Sequence, residues 1–269
     1  MTTNWKKTTR ILAAVALLGA IIACGGDDED NSTTGATGDT TEGTAAAQPG
    51  AVAGGAPQPL TLGQPPVSIQ VPVPPSFTLN VTAAAEYQVD ATGSPMDPEL
   101  FIYNGDELVE NNDDGGDGLN ARIVRFLPPG NYSVRVVEHR ARAFTAQVQA
   151  QQLPPLTAVG AVTIGQPLVV TFPDFPLLQR PRNDRDAAKA VTLNVTAAGS
   201  YTCEAGADNG RDAKMAIISN GAILAEDDDS GEGNNARITQ TLQPGSYEIR
   251  VWDWIRRGDM RITVTCTQG

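Results

Sequence analysis

The stretch DPELFIYNGDELVENNDDGGDGLNARIVRFLPPGNYSVRV, residues 97–136, returns as DAKMAIISNGAILAEDDDSGEGNNARITQTLQPGSYEIRV, residues 212–251. Asp113-Asp114, Gly116, Gly118 and Asn120-Ala121-Arg122-Ile123 match Asp228-Asp229, Gly231, Gly233 and Asn235-Ala236-Arg237-Ile238. Leu127, Pro129-Gly130 and Tyr132 match Leu242, Pro244-Gly245 and Tyr247. Working outward, Thr61-Leu62-Gly63-Gln64-Pro65 recurs as Thr163-Ile164-Gly165-Gln166-Pro167, and Thr78-Leu79-Asn80-Val81-Thr82 as Thr192-Leu193-Asn194-Val195-Thr196. The order is kept throughout, which marks a duplication; each copy is roughly 100 residues, an ordinary size for one small β domain. Residues 59–153 form the first copy and 154–269 the second. The second carries an insertion around Phe175–Ala188 that reads as a long polar loop.

Inside a copy, short alternating runs are separated by turn chemistry. Residues 78–82, 87–91, 100–103, 107–110, 122–126, 132–136 and 144–148 read as strands, with Asn104-Gly105 as a type I′ hairpin turn and Asn220-Gly221 as its counterpart. Seven or so short strands at this spacing predict an all-β fold, two tandem antiparallel β-sandwich, jelly-roll-like domains. No stretch after residue 23 has helical periodicity. Composition agrees. The 269 residues include 27 Gly and 19 Pro but only 5% aromatics, which suits turns and short strands rather than long helices. With 31 Asp and Glu against 19 Lys and Arg, the net charge is −12. Such a surface repels phosphate backbones, which argues against nucleic acid, and attracts divalent cations. The single His, His139, leaves little for His-based catalysis and reads as a solvated turn residue.

Residues 1–23 read as a signal peptide: Lys6, Lys7 and Arg10 precede an apolar run, Ile11–Ala23, too short to span a bilayer comfortably. The run ends Ile21-Ile22-Ala23-Cys24, which resembles the lipobox of bacterial lipoproteins. That resemblance implies diacylglycerol and palmitate on Cys24, export, and a lipid anchor in the bacterial membrane. In that family's sorting pattern Gly25 in place of Asp does not mark inner-membrane retention, so the resemblance implies the outer membrane or cell surface. The alternatives are an ordinary secretory signal with an incidental Cys, or an uncleaved anchor helix. Residues 24–58 then form a Gly, Thr, Asp and Ala linker with Val52 as its one large apolar residue. It cannot bury enough surface to offset ordering, and its reach is roughly 30 Å by random-coil scaling.

The run from Asp97-Pro98 through Leu100–Tyr103 to Asp113-Asp114, followed by Leu127-Pro-Pro-Gly130 and Tyr132, resembles the bacterial pre-peptidase C-terminal domain. Copy two matches with Asp227-Asp228-Asp229, Leu242, Gly245 and Tyr247 but lacks the Pro after Asp212. The resemblance implies β-sandwiches appended to exported proteins, without catalytic activity of their own, that aid adhesion or secretion.

Three groups of residues stand out as sites. Aligning the copies places Cys203 opposite Val89 and Cys266 opposite Val148, so two inward positions predict a disulfide in an exported protein; two free buried thiols are the alternative. The hairpin register brings Asp97 beside Asn112 and Asp113, with Asp114, Asp117 and Asn120 within reach. Equally it brings Asp212 beside Asp229, with Asp228, Glu232 and Asn235. These two loops are candidate Ca²⁺ sites, because converging carboxylates need neutralising and Ca²⁺ takes six to eight oxygens; the alternative is that Asp, Asn and Gly make soluble turns. Arg122 and Arg237 are expected to pair with the loop carboxylates; contact with a ligand is the alternative. Trp252 and Trp254 share a face beside Arg256-Arg257, either as a contact for sugar or protein or as the cover of a sandwich edge or inter-copy interface. Together these features predict a non-enzymatic, lipid-anchored envelope protein that binds or adheres to an envelope protein or polysaccharide. A structural spacer or complex subunit is the alternative, and a glycoside-acting enzyme a distant one.

Overall fold

The computed structural model describes residues 57–71, 76–93 and 95–269. The signal segment, Cys24 and nearly all of the linker lie outside the described residues. The first half contributes β1 (Gln58–Pro59), β2 (Val67–Val71), β3 (Ser76–Val81), β4 (Ala85–Thr92), β5 (Pro98–Asn104), β6 (Glu107–Asn112), β7 (Ala121–Leu127), β8 (Gly130–Glu138) and β9 (Phe144–Gln152). The second contributes β10 (Ala158–Val162), β11 (Leu168–Asp174), the helical turn α1 (Asp184–Ala187), β12 (Lys189–Val195), β13 (Gly199–Ala207), β14 (Ala213–Ser219), β15 (Ala222–Asp227), β16 (Ala236–Leu242), β17 (Gly245–Asp253) and β18 (Gly258–Gln268).

Each half is a pair of sheets, and the two halves correspond strand for strand. The orders β1-β3-β8-β5-β6 and β2-β9-β4-β7 recur as β10-β12-β17-β14-β15 and β11-β18-β13-β16. The duplication read from sequence is thus a duplication of topology. One feature departs from the all-antiparallel expectation. β1 pairs with β3, and β10 with β12, in parallel. In each case the intervening strand lies in the other sheet, so the chain crosses the sandwich and re-enters the first sheet in the same direction.

Alternation explains the cores. In β8, Tyr132, Val134, Val136 and Glu138 are buried while their neighbours are not. In β18 the buried set is Gly258, Met260, Ile262, Val264 and Cys266. Facing rows close one core that includes Phe77, Leu79, Leu100, Ile102, Ile123 and Val148, and a second that includes Leu193, Met215, Ile217, Ile249 and Val264.

The hairpin turns differ between copies. In the second half Ser219 pairs with Ala222, and Asn220 and Gly221 both have positive φ, 50° and 72°, as a type I′ turn requires. In the first half Asn104 pairs with Glu107. The turn is therefore Gly105-Asp106, with a positive φ at Gly105 alone, 61°, the pattern of type II′ rather than the expected type I′. Asn104 belongs to the strand.

Four buried tyrosines staple the ends of the sandwiches. Tyr87, Tyr132, Tyr201 and Tyr247 each donate to the carbonyl four residues upstream, on Ala83, Pro128, Ala197 and Gln243, at 2.7–2.8 Å. This accounts for the recurring Leu-x-Pro-Gly-x-Tyr signature: the Tyr ring sits in the core and its hydroxyl closes the turn that the Pro-Gly pair makes. Removing the hydroxyl in Tyr132→Phe or Tyr247→Phe is expected to cost about 1 kcal/mol each, read as a lower urea midpoint with unchanged slope. A change below the resolution of the measurement in both would deny the staple.

Candidate functional site

The acidic loops, residues 113–120 and 228–235, follow β6 and β15. At their base sit Asn112, the last residue of β6, and Asp227, the last residue of β15. The Asn112 Oδ1 accepts from the Gly115 amide at 2.5 Å and the Arg122 amide at 3.3 Å. In the second half Asp227 does the same for the amides of Ser230 and Arg237, at 3.0 and 2.9 Å. Inside each loop Gly116 and Gly231 donate to the carbonyls of Asn120 and Asn235, both at 2.8 Å. A Cβ on either glycine would press on that carbonyl. The Asn120 and Asn235 side chains accept from the amides of Gly93 and Ala207, both at 3.2 Å. These two side chains tie the loop to the opposite sheet.

The carboxylates do not gather as expected. The last residue pairs of the β5–β6 and β14–β15 hairpins are Leu100 with Asn112 and Met215 with Asp227. Asp97 and Asp212 therefore stand three residues beyond the end of pairing instead of beside Asn112, Asp113 and Asp229. A bulge between Ile102 and Tyr103, and its twin between Ile217 and Ile218, shifts each register by one; the displaced first turn shifts that hairpin further. Asp113 and Asp228 are half-buried, while Asp114, Asp117, Asp229 and Glu232 point to solvent. Among the described residues no three His, Cys, Asp or Glu side chains form a group that could hold a metal ion.

Arg122 and Arg237 pair with neighbouring strands, not with the loops. Arg122 Nε meets Asp90 at 2.6 Å and Arg237 Nε meets Glu204 at 2.6 Å, each across a register pair. Burial lowers the Arg122 pKa most, but the hydrogen bond to Asp90 together with the negative charges of Asp90, Asp117 and Asp186 outweighs it and leaves the group above its ordinary value.

At the end of the sandwich near Asp97 and Asp212, a carboxylate closes the turn after each central strand. Glu138 accepts from the amides of Arg140 and Arg142 at 2.8 and 2.9 Å and from the Arg142 guanidinium. Its counterpart Asp253 accepts from the amides of Arg257 and Gly258 and from Arg211 Nη2 at 2.7 Å. The Arg142 hydrogen bond holds the Glu138 pKa down at about 2, from an ordinary 4.5. A depressed folded-state pKa means that this contribution is complete above about pH 4.5 and lost as pH falls toward 2. Glu138→Gln should flatten that leg of the stability profile; an unchanged acid leg would contradict the assignment.

The most elaborate arrangement lies between the halves. Glu86 on β4 is buried, and both its oxygens accept from Arg250 Nη1 on β17 at 2.9 Å. Arg185 of α1 also pairs with Glu86, and its other nitrogen donates to the Pro154 carbonyl at 2.6 Å. The Arg250 guanidinium stacks on Phe126 of β7, 4.9 Å from the ring centroid. Phe126 in turn packs against a small cluster of Ala187, Ala216, Ile218 and Trp252. Beside the ion pair is a cleft of about 430 Å³ lined by both halves, among them Ala84, Phe126, Leu153, Tyr247 and Arg250. The tip of the second hairpin closes against it: a Cβ on Gly221 would collide with the Ala84 carbonyl oxygen.

The insertion expected to be a polar loop is a clamp. Asn183 caps α1 by accepting from the Asp186 amide at 3.0 Å, with Asp184 and Asp186 in the first turn, an arrangement favoured at a helix start. From this short element Arg182 reaches the first acidic loop, donating to the carbonyls of Asp114 and Gly118 at 2.7 and 2.9 Å. Asp184 takes Arg256 Nη1 at 2.7 Å, and Ala187 is buried under the Trp252 cluster.

Trp252 is 4% exposed and Trp254 42%. They share a face, as expected, with Lys214 Nζ 5.2 Å from each ring centroid. Trp252 therefore belongs to the interface cover and only Trp254 to the surface. Cys203 and Cys266 are disulfide-bonded across β13 and β18, with Cα atoms 4.1 Å apart and in direct register. The corresponding pair in the first half is Val89 with Ala150, so Cys266 replaces Ala150, not Val148. The seam residues Glu86, Phe126, Arg185 and Arg250 escaped sequence reading. An outward-facing Phe126 and an arginine-rich insertion confined to one copy were the only signals for them.

No family model and no curated protein matches the sequence. Among solved structures the chain is similar to the pre-peptidase C-terminal domain of a collagenase from Bacillus anthracis, at 13% identity and TM-score 0.32, over 43% of this chain and all of that one. It is similar also to an anti-sigma factor domain-containing protein from Clostridium clariflavum, at 13% identity and TM-score 0.24, over 72% and 77% of the two chains. A third similarity, to tripeptidyl peptidase 2 at 11% identity and TM-score 0.25, spans 78% of this chain and 24% of that one.

Proposed function

We propose that this chain is a non-enzymatic, lipid-anchored protein of the bacterial envelope. Its two sandwich halves act as one binding or adhesion module. The observation that carries the reading is the seam. A buried ion pair, a stacked guanidinium, a hairpin tip and a dedicated insertion join two β halves into a single body. Such effort serves a fixed presentation of surface loops better than a flexible chain of independent beads. The acidic loops and their flanking turns are the surfaces so presented, and Arg182 fixes one of them from outside.

Two measurements test this reading. An alkynyl palmitate analogue should label the expressed chain, and the label should vanish in Cys24→Ser; labelling that survives the substitution rejects the anchor. Purified chain should capture a component from envelope polysaccharide or protein fractions. Gly221→Ala, which pushes a methyl group into the Ala84 carbonyl at a position of positive φ, should open the seam and reduce that capture. Capture from no fraction rejects the binding role. Equal capture by the variant rejects the requirement for a locked body.

A further inference from the structure

The two halves correspond strand for strand, yet one of their surfaces does not match. On the outer face of the sheet that holds β5 and β8, register places Phe101, Tyr103, Arg135 and Val137 where the second half has Ala216, Ile218, Arg250 and Trp252. In the second half all four are buried where Phe126 and Ala187 close over the sheet. In the first half the same positions are only half-buried, and Leu108, which pairs with Tyr103, is 45% exposed. The fold does not need aromatic rings here, since Ala216 and Ile218 serve the same two places. An accessible row of large apolar side chains that the fold does not require marks an interaction site.

The neighbours of the two rings order them. Phe101 and Tyr103 follow one another on one face of β5, with centroids 6.3 Å apart and planes 17° from parallel. The Arg135 guanidinium lies over the Tyr103 ring, 4.8 Å from its centroid. This cation–π contact fixes the ring and lowers the entropy cost of seating a ligand on it. Asn111, paired with Phe101, donates to Glu99 at 3.3 Å. The row Glu99, Phe101 and Tyr103, with the residues paired to it on β6 and β8, therefore holds one carboxylate and one guanidinium. It is neutral, on a chain whose net charge is −12.

That balance selects the occupant. A polyanion would gain one arginine and meet the acids of the surrounding surface, and a polycation would be drawn to the acidic loops instead. An uncharged sugar chain meets neither difficulty. Each sugar ring has an apolar C–H face that lies against an aromatic ring, and hydroxyls at its rim that bond to a carboxylate, a guanidinium or an amide. An apolar platform with a few convergent polar groups is the usual make-up of a small-ligand site.

We propose that the outer face of β5 and β8 binds a neutral polysaccharide, with sugar rings stacked on Phe101 and Tyr103 and their hydroxyls held by Glu99, Asn111 and Arg135. The inference builds on the adhesion reading and gives it a surface and a ligand class of its own, apart from the acidic loops.

The test uses the full chain bearing Cys24→Ser, so that no acyl group enters the outcome. Native electrophoresis through gels holding hydroxyethylcellulose, galactomannan, dextran or laminarin should retard the chain in at least one of them, relative to a gel without polysaccharide. A gel holding alginate, a polyuronate, should not. Phe101→Ala with Tyr103→Ile gives the first half the residues that the second half carries at these positions. It should keep a cooperative urea transition and raise the apparent Kd about tenfold or more, the effect of truncating two anchor rings. Arg135→Gln and Glu99→Gln leave both rings in place. Each should weaken retardation several-fold, and they carry the test alone if the double variant unfolds. No retardation in any neutral gel, retardation as strong in alginate, or equal retardation of the parent chain and all variants overturns the proposal. Capture of an envelope fraction without retardation in the neutral gels overturns this inference and leaves the adhesion reading standing.

Discussion

Glu86→Ala is expected to destabilise the chain by about 3–5 kcal/mol, the usual cost of removing one member of a buried ion pair and leaving the other behind. Arg250 is only 5% exposed at its side chain and Arg185 11%. Neither can turn to water without breaking the seam, and Arg250 would keep only Glu248 and the Phe126 ring. Urea unfolding followed by tryptophan fluorescence reads this directly, because Trp252 is part of the cluster against which Phe126 packs. The triple variant Glu86→Leu, Arg185→Met and Arg250→Met removes all three charges that meet at the seam and keeps most of the volume. It should recover much of the loss, since a well-packed apolar group is often as stable as the ions it replaces. A loss below about 1 kcal/mol in Glu86→Ala is the value for an exposed pair and would show that the seam is wet.

The second large effect is expected at Cys203 and Cys266. They are separated by 63 residues, and the chain-entropy model assigns a cross-link of that span roughly 4 kcal/mol. The duplication supplies its own control. Half one fills the same cross-strand position with Val89 and Ala150, so Cys203→Val with Cys266→Ala installs a pairing that this fold already tolerates. The substitution should therefore lower stability through the lost cross-link and not through a cavity. The protection of β13 and β18 amides against exchange should fall while that of β4 and β9 stays. Equal loss in both halves would mean that they unfold as one cooperative unit, and no loss would mean that the bond carries no stability.

Both expectations bear on how much was legible in the amino-acid order. Strand positions followed from alternation. Residues 78–81 of the expected 78–82 strand, with 100–103 and 132–136, became parts of β3, β5 and β8 because an inward row of Leu, Ile, Val and Tyr has one place to go in a sandwich. The Cys pair was legible because a duplicated fold offers an internal alignment. The acidic loops were legible as loops, but not as a constellation. A classic bulge inserts one residue without a sequence signature, and one residue in each hairpin decides whether Asp97 and Asp212 face the loop or stand past the end of the ladder.

What the sequence determined by itself is local and repeated: the alternation, the Pro-Gly-x-Tyr turns, the twin loops and the equivalence of the two halves. Each depends on neighbours within a few residues or on the internal copy. What the tertiary structure decided is how equivalent positions diverge. Arg135 and Arg250 occupy the same place in the repeat, yet Arg135 lies over Tyr103, 4.8 Å from the ring centroid, while Arg250 is buried against Glu86 and Phe126 of the other half. The difference arises because their surroundings lie 164 residues apart in the chain for Arg250 and Glu86, and no periodicity reaches across such a separation. Burial and charge pairing are properties of the assembled surfaces, so the seam and the clamp exist only once the two halves have been brought together.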